Sequence, residues 1–309
     1  MTLAYITHPD CLRHETGRSH PERPQRLAAI EEQLLATGTD AAIERFEAPL
    51  ATDETLCRVH PAAYVRAIRD VAPREGLVHL DPDTAMGPAS LAAALRAAGA
   101  GVLGVDLVMQ GRAAGAFCNV RPPGHHACRA RAMGFCIFNN IAVAARHAIA
   151  VHGLERVAIV DFDVHHGNGT EDVFAGDPTV LMVSTFQHPF YPFCGTENPA
   201  ANMVNVPLPA GAGSTEFRRA VEEHWLPALD AFQPQLVLVS AGFDAHIEDD
   251  MAMLRLRDAD YAWVTRLLVN VAQRYARGRI VSMLEGGYAL GALGRCAVLH
   301  MRELAAVAS

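Results

Sequence analysis

The stretch Arg156-Val157-Ala158-Ile159-Val160-Asp161-Phe162-Asp163-Val164-His165-His166-Gly167-Asn168-Gly169-Thr170 changes character halfway along. Its first half is a continuous apolar run, as in strands buried on both faces. Its second half carries two acids and two histidines. Alternate residues of an extended chain point the same way, so Asp163 and His165 can converge on one point while Phe162 and Val164 pack against a sheet. A buried strand ending in ionisable groups predicts a parallel α/β sheet with a site at its carboxyl edge.

Reading outward, the same alternation runs through the chain. Strands are expected at Leu3–Thr7, Ala116–Asn119, Arg156–Phe162, Val180–Phe186, Met203–Val206, Leu236–Ala241 and Arg279–Leu284. Helical periodicity falls at 25–36, 61–71, 88–110, 137–152, 214–230, 258–276 and 291–306, with Pro24 and Pro88 near helix starts and Gly38, Gly111 and Gly153 after helix ends. Such a pattern implies a mostly parallel sheet with helices on both faces. Without an internal repeat, low-complexity tract or linker, residues 1–309 are expected to form one domain.

Composition narrows the function. Half of the 309 residues are hydrophobic and the formal net charge is −8. That charge argues against a nucleic-acid or anionic membrane surface and favours a cationic or amine-bearing substrate. The seven cysteines, an odd number without a Cys-x-x-Cys pair, fit a reducing compartment better than a disulfide framework. No signal peptide is visible, and no apolar run approaches the roughly 18 residues of a membrane-spanning helix. A cytoplasmic location is the expectation; composition is compatible with an oligomer but assigns none.

Chemistry is concentrated after the predicted strands. Arg121-Pro122-Pro123-Gly124-His125-His126 follows one, Asp161 to Thr170 a second, Ala241-Gly242-Phe243-Asp244 a third and Glu285-Gly286-Gly287-Tyr288 a fourth. Asp163 and His165 supply two-thirds of a catalytic zinc site, and Asp244 is the natural third ligand. Two adjacent histidines on a loop stiffened by prolines suit a general base and an electrostatic partner. Asp161 and Asn168 are placed to orient one imidazole each, and Tyr288 to donate a hydrogen bond to a developing oxyanion.

These motifs, with His20-Pro21-Glu22-Arg23-Pro24 and Gly134-Phe135-Cys136, appear in an order that resembles the histone deacetylase superfamily, closest to its class II-like bacterial branch. The resemblance implies an arginase-like α/β fold around an eight-stranded sheet and removal of an acetyl or short acyl group from a lysine side chain. It implies one zinc ion on Asp163, His165 and Asp244, His126 as general base supported by Asn168, and His125, supported by Asp161, acting electrostatically. Tyr288 would polarise the scissile carbonyl. Gly134, Phe135 and Tyr191 would line the substrate tunnel, with Met251 at its rim. Structural potassium is implied near the backbone of Asp161, Asp163, His165 and Thr185, with the Ser184 hydroxyl. Arg26 matches a residue lining a cavity behind the metal; by itself it reads equally well as a solvated residue in a first helical turn.

The stretch Tyr191-Pro192-Phe193-Cys194-Gly195-Thr196-Glu197 departs from the family's usual loop, leaving Phe190, Tyr191 and Phe193 as alternatives for the tunnel wall. Glu248, Asp249 and Asp250 read as solvated loop charges. Met251 stands where polyamine-preferring relatives carry glutamate, which favours acetyl-lysine over acetylpolyamine. The competing readings are an acetylpolyamine amidohydrolase, a dimanganese ureohydrolase and a non-catalytic acyl-lysine binding protein.

Overall fold

Strands that are apolar on both faces require helices on both sides. The computed structural model, which describes residues 2–306, meets that requirement. It begins with β1 (Leu3–Thr7), a 3-10 turn (Pro9–Arg13), α1 (Gln25–Ala36), a second 3-10 turn (Thr39–Ala42), β2 (Ile43–Glu47), α2 (Asp53–Leu56) and α3 (Ala62–Val71). A short hairpin of β3 (Val78–His79) and β4 (Ala85–Met86) leads to α4 (Ser90–Met109), β5 (Gly115–Cys118), α5 (Asn140–His152), β6 (Val157–Asp161) and α6 (Asn168–Phe174). Then come β7 (Val180–Gln187), β8 (Met203–Leu208), α7 (Ser214–Ala220), a π-helical turn (Val221–Trp225) and α8 (Leu226–Phe232). The chain continues through β9 (Leu236–Ala241), α9 (Asp258–Tyr275), β10 (Ile280–Leu284) and α10 (Leu290–Ala305).

One eight-stranded sheet runs in the order β2-β1-β5-β10-β9-β6-β7-β8, and every pairing in it is parallel. Every residue of β5, β6, β7, β9 and β10 is buried, as double-sided helix cover demands. The order places β5, β10, β9 and β6 side by side. Their ends are nearly level: Asp161 pairs with Ser240 and Ser184, and Leu284 with Ala241. Motifs more than a hundred residues apart therefore emerge on one edge.

Besides α2, α6 and the β3–β4 hairpin, which were not expected, three details differ from the sequence reading. The eighth strand, β2, has the sequence Ile-Glu-Arg-Phe-Glu and sits half-exposed at the sheet edge, so it lacks the apolar run that marks buried strands. The helix expected at 214–230 runs unbroken to 232 but widens at a π-helical turn, after which Pro227 enters the first turn of α8. The sequence reading found no apolar run of membrane-spanning length, yet α4 spans 20 residues with mean hydropathy 1.6 over its most apolar window, two-thirds of which is buried. It is a core helix, packed on β1, β5 and β10.

Two buried histidines make the fold acid-sensitive. His60 Nδ1 lies 2.9 Å from the Arg129 carbonyl and its Nε2 accepts the Asn139 N–H at 3.0 Å, so the ring must be neutral. His300 lies between the hydroxyls of Thr265 (2.6 Å) and Ser282 (2.7 Å). Burial lowers His60 to about 4 and His300 to about 3. Both folded values lie below the unfolded value of about 6.5, so the unfolded chain takes up protons first as pH falls. Stability is then full above about pH 6.5 and declines towards pH 4, by roughly 3 kcal/mol for His60 alone. Urea midpoints measured from pH 7 to pH 4 should show the decline; a flat profile contradicts it.

Candidate active site

The loop after β6 is curled by its own acids: Asp163 N–H donates to Asp161 Oδ1 (3.0 Å) and His165 N–H to Asp163 Oδ1 (2.8 Å). From the loop after β9, Asp244 Oδ1 accepts the Val164 N–H at 3.0 Å. From the loop after β10, Gly286 N–H donates to Asp163 Oδ2 at 2.8 Å. These backbone bonds bring His165 Nδ1 to 3.0 Å from Asp163 Oδ1 and 3.3 Å from Asp244 Oδ2. One ligand atom from each of the three residues lies within 4.8 Å of the others. Asp244 Oδ2 is buried without a hydrogen-bond partner. A side chain at Gly286 would run into both carboxylates, so this close approach requires glycine.

The electrostatics of the trio fit a cation. Burial, reinforced by Asp163, pushes Asp244 up to about 6. Burial also opposes ionisation of Asp163, but His125 and the hydrogen-bonded His165 outweigh it and hold that carboxyl well below the usual range. Against burial, the two carboxylates raise His165 to about 9. Two acids around one protonated imidazole form the donor set that a divalent ion occupies by displacing the proton. Two other groups of ligating type differ: in one, Arg58 Nη1 lies 3.0 Å from His147 Nδ1; in the other, Arg295 donates to Asp258 at 2.8 Å.

His125 and His126 follow β5. His125 Nδ1 is 2.9 Å from Asp161 Oδ2, and His126 Nδ1 is 2.8 Å from Asn168 Oδ1. Burial works against a charged His125, but Asp161 and Asp163 overcome it and raise its pKa well above normal. Burial, His125 and His165 all lower His126. The dyads thus divide into a charged ring beside an aspartate and a neutral ring beside an amide. With Nδ1–H donated to Asn168, His126 keeps its Nε2 lone pair.

A cavity of about 170 Å³ opens onto this cluster, lined among others by His126, Phe135, Phe190, Tyr191, Met251 and Tyr288. Gly134 lies against the His126 ring with φ +58°, where a side chain would clash. The β3–β4 hairpin fixes this wall: Asp83 accepts the Gly134 N–H and Thr84 the Phe135 N–H, each at 3.0 Å. Of the alternative wall residues, Phe190 stacks on His165 (5.5 Å, 25°), Tyr191 meets His126 edge-on (5.2 Å, 85°), and Phe193 is 71% exposed. Ser184 and Thr185 are buried on β7, where Ser184 pairs with Asp161 and donates its hydroxyl to Asn205 at 3.3 Å.

Two expectations need correction. Arg26 is not solvated: fully buried, it donates to the carbonyls of Gly287 (2.6 Å) and Glu285, and lies 5.0 Å from the centre of the Tyr288 ring. Asp249 is not a solvated loop charge, since it accepts the backbone N–H groups of Tyr288 (2.6 Å) and Ala289 (2.9 Å). Glu248 pairs with Arg295, and Asp250 is exposed. The sequence reading also gave no role to Asp83, Thr84 or Glu285. Only the backbone groups that these acids and the threonine meet reveal what they do.

A buried two-acid, one-imidazole cluster lies at the carboxyl edge of an eight-stranded parallel sheet, with two histidines and a tyrosine beside it at one cavity, which is the donor set of a candidate metal site next to acid–base groups. The family model for the histone deacetylase domain matches residues 20–304, and the chain belongs to the histone deacetylase family. It is 38% identical over 297 residues to the histone deacetylase-like amidohydrolase of Pseudomonas aeruginosa, covering 94% of this chain and 78% of that one. It is also 38% identical over 300 residues to the polyamine deacetylase HDAC10 of Homo sapiens, covering 92% of this chain and 44% of that protein. The crystal structure of the HDA15 HD domain superposes with a TM-score of 0.92 at 34% identity, covering 99% of this chain and 88% of the other. The fold is the arginase-like one of that family.

Replacing Gly286 by alanine should weaken divalent-metal binding at least tenfold while the far-UV circular dichroism stays unchanged, because the added methyl enters the space between the two carboxylates. Titration against a chromogenic chelator checks this; wild-type affinity in the variant contradicts it.

Proposed function

We propose that the chain is a zinc-dependent deacetylase that removes an acetyl or short acyl group from the side-chain amine of lysine in peptides or proteins. The observation that carries this reading is the meeting of the Asp163–His165–Asp244 cluster, the two histidine dyads and Tyr288 at one narrow cavity. Asp163, His165 and Asp244 would hold the zinc ion, which supplies Lewis-acid polarisation of the acyl oxygen and of the attacking water. Iron(II) suits the same ligands. Potassium near Asp161, Asp163, His165, Ser184 and Thr185 is part of the proposal and would be structural.

The division of labour follows from the protonation states. His126, neutral and oriented by Asn168, takes the proton from the attacking water at Nε2 and returns it to the leaving amine. His125, hydrogen-bonded to Asp161, would contribute positive potential beside the reacting atoms. Tyr288 donates its phenol hydrogen to the oxygen on which negative charge develops. The peptide that carries the ring is held at both its groups, by Arg26 on the Gly287 carbonyl and by Asp249 on the Tyr288 N–H. Phe135, Phe190 and Tyr191 exclude water around the alkyl chain.

Acetylated polyamine is the second reading, supported by the likeness to HDAC10 and by Asp83 among the cavity-lining residues. Met251, a neutral thioether at the same opening, favours acetyl-lysine. A cytoplasmic setting belongs to the proposal too, since all seven cysteines are free.

With metal content measured, Tyr288→Phe should lower kcat by about 100- to 1,000-fold while one divalent ion per chain is retained. Unchanged turnover removes the phenol from the mechanism, and two ions per chain point to the ureohydrolase reading. In a panel of acetyl-lysine peptides, longer acyl-lysines and acetylated putrescine or spermidine, the acetyl-lysine peptides should have the highest kcat/KM. A preference for the diamines overturns the substrate.

A further inference from the structure

Glu285 is fully buried, and neither the metal cluster nor the proton relay uses its carboxylate. Its surroundings give it a task. Oε2 accepts two consecutive backbone N–H groups, those of Gly124 at 2.7 Å and His125 at 3.1 Å. Oε1 accepts the Ser240 hydroxyl at 3.3 Å. The backbone on either side is committed as well. Glu285 N–H donates to the Ala241 carbonyl (3.0 Å), the Glu285 carbonyl accepts from Arg26, and Gly286 N–H donates to Asp163.

The sheet order explains why this position matters. β10 lies between β5 and β9, so a side chain at its carboxyl end reaches the histidine loop on one side and the Asp244 strand on the other. The loop at 124–126 leaves β5 with two N–H groups turned towards β10. A buried N–H left unpaired is costly, so the loop settles where both find an acceptor.

We propose that Glu285 is a positioning residue that fixes the His125–His126 loop against β10 and thereby sets the reach of the base to the reacting atoms. The inference rests on the deacetylase reading above. Both N–H groups converge on the single oxygen Oε2, so what the loop requires of this side chain is an acceptor oxygen at that place. Glutamine offers an oxygen in the same place, with an amide for the Ser240 Oγ. Aspartate keeps the acid but draws the oxygen back by about 1.5 Å, one carbon–carbon bond.

The test compares Glu285→Gln with Glu285→Asp, at equal metal content. Glu285→Gln should keep kcat within about threefold of wild type; Glu285→Asp should lose about 10- to 100-fold in kcat with KM nearly unchanged, as displacement of a catalytic group by an ångström predicts. Amide hydrogen exchange supplies a readout independent of turnover: Gly124 and His125 should exchange at least tenfold faster in Glu285→Asp and at the wild-type rate in Glu285→Gln. The proposal is overturned if Glu285→Asp matches wild type in kcat and exchange, if Glu285→Gln falls as far as Glu285→Asp, or if KM alone rises. A wild-type protein that, loaded with metal, hydrolyses no acetyl amide defeats the deacetylase reading instead, and the exchange rates still decide the role of Glu285.

Discussion

Two carboxylates buried around one imidazole nitrogen are the constraint on which this structure depends. Each buried ion carries a desolvation penalty of several kcal/mol unless hydrogen bonds and an opposite charge offset it. The chain answers with backbone: N–H groups of Asp163, Val164, His165 and Gly286 all point at the acids of this edge. Those bonds use one oxygen of Asp244 and leave the other facing His165. The need to bring donors so close dictates the glycine after Glu285 and the level ends of β6, β9 and β10.

Behind the site a second buried charge cluster stabilises the loops without touching the cavity. Glu22 pairs with Arg26 at 3.2 Å and with Nε and Nη2 of Arg121; burial opposes its ionisation, but Arg121, His14 and Arg26 outweigh it and hold it down at about 2. Arg121 also donates to the carbonyls of Cys11 (3.0 Å) and His14 (3.2 Å). One glutamate therefore links the N-terminal segment, the start of the histidine loop and, through Arg26, the tyrosine loop. Arginine suits this because its planar fork satisfies several oxygens at once.

Much of this was legible in the sequence for physical reasons. Buried strands announce themselves as apolar runs. Strand parity also put Asp163 and His165 on one side, but β6 ends at Asp161, and the two side chains meet because bonds from Asp161 and Asp163 to the backbone curl the loop that follows. The dyads followed from the chemistry of imidazole, which needs a partner to fix its tautomer. What escaped was whatever depends on distant neighbours. Asp249 resembles its solvated neighbours Glu248 and Asp250, and only the fold shows that it receives the backbone of residues 288 and 289. Arg26 sits on an amphipathic helix where an arginine usually reaches solvent; carbonyls some 260 positions away hold it inside. Phe190 and Tyr191 both reach the cavity because the loop that carries them follows no simple period.

The polar edge strand that hid β2 from the sequence reading has a consequence of its own. An open sheet ends in two rows of unused backbone donors and acceptors, each a template for another chain. At one border Glu44 and Arg45 of β2 are exposed; at the other, β8 carries Pro207, which has no amide hydrogen to offer. Charge guards one margin and an absent donor the other, so the sheet stops at eight strands and resists growing into an aggregate.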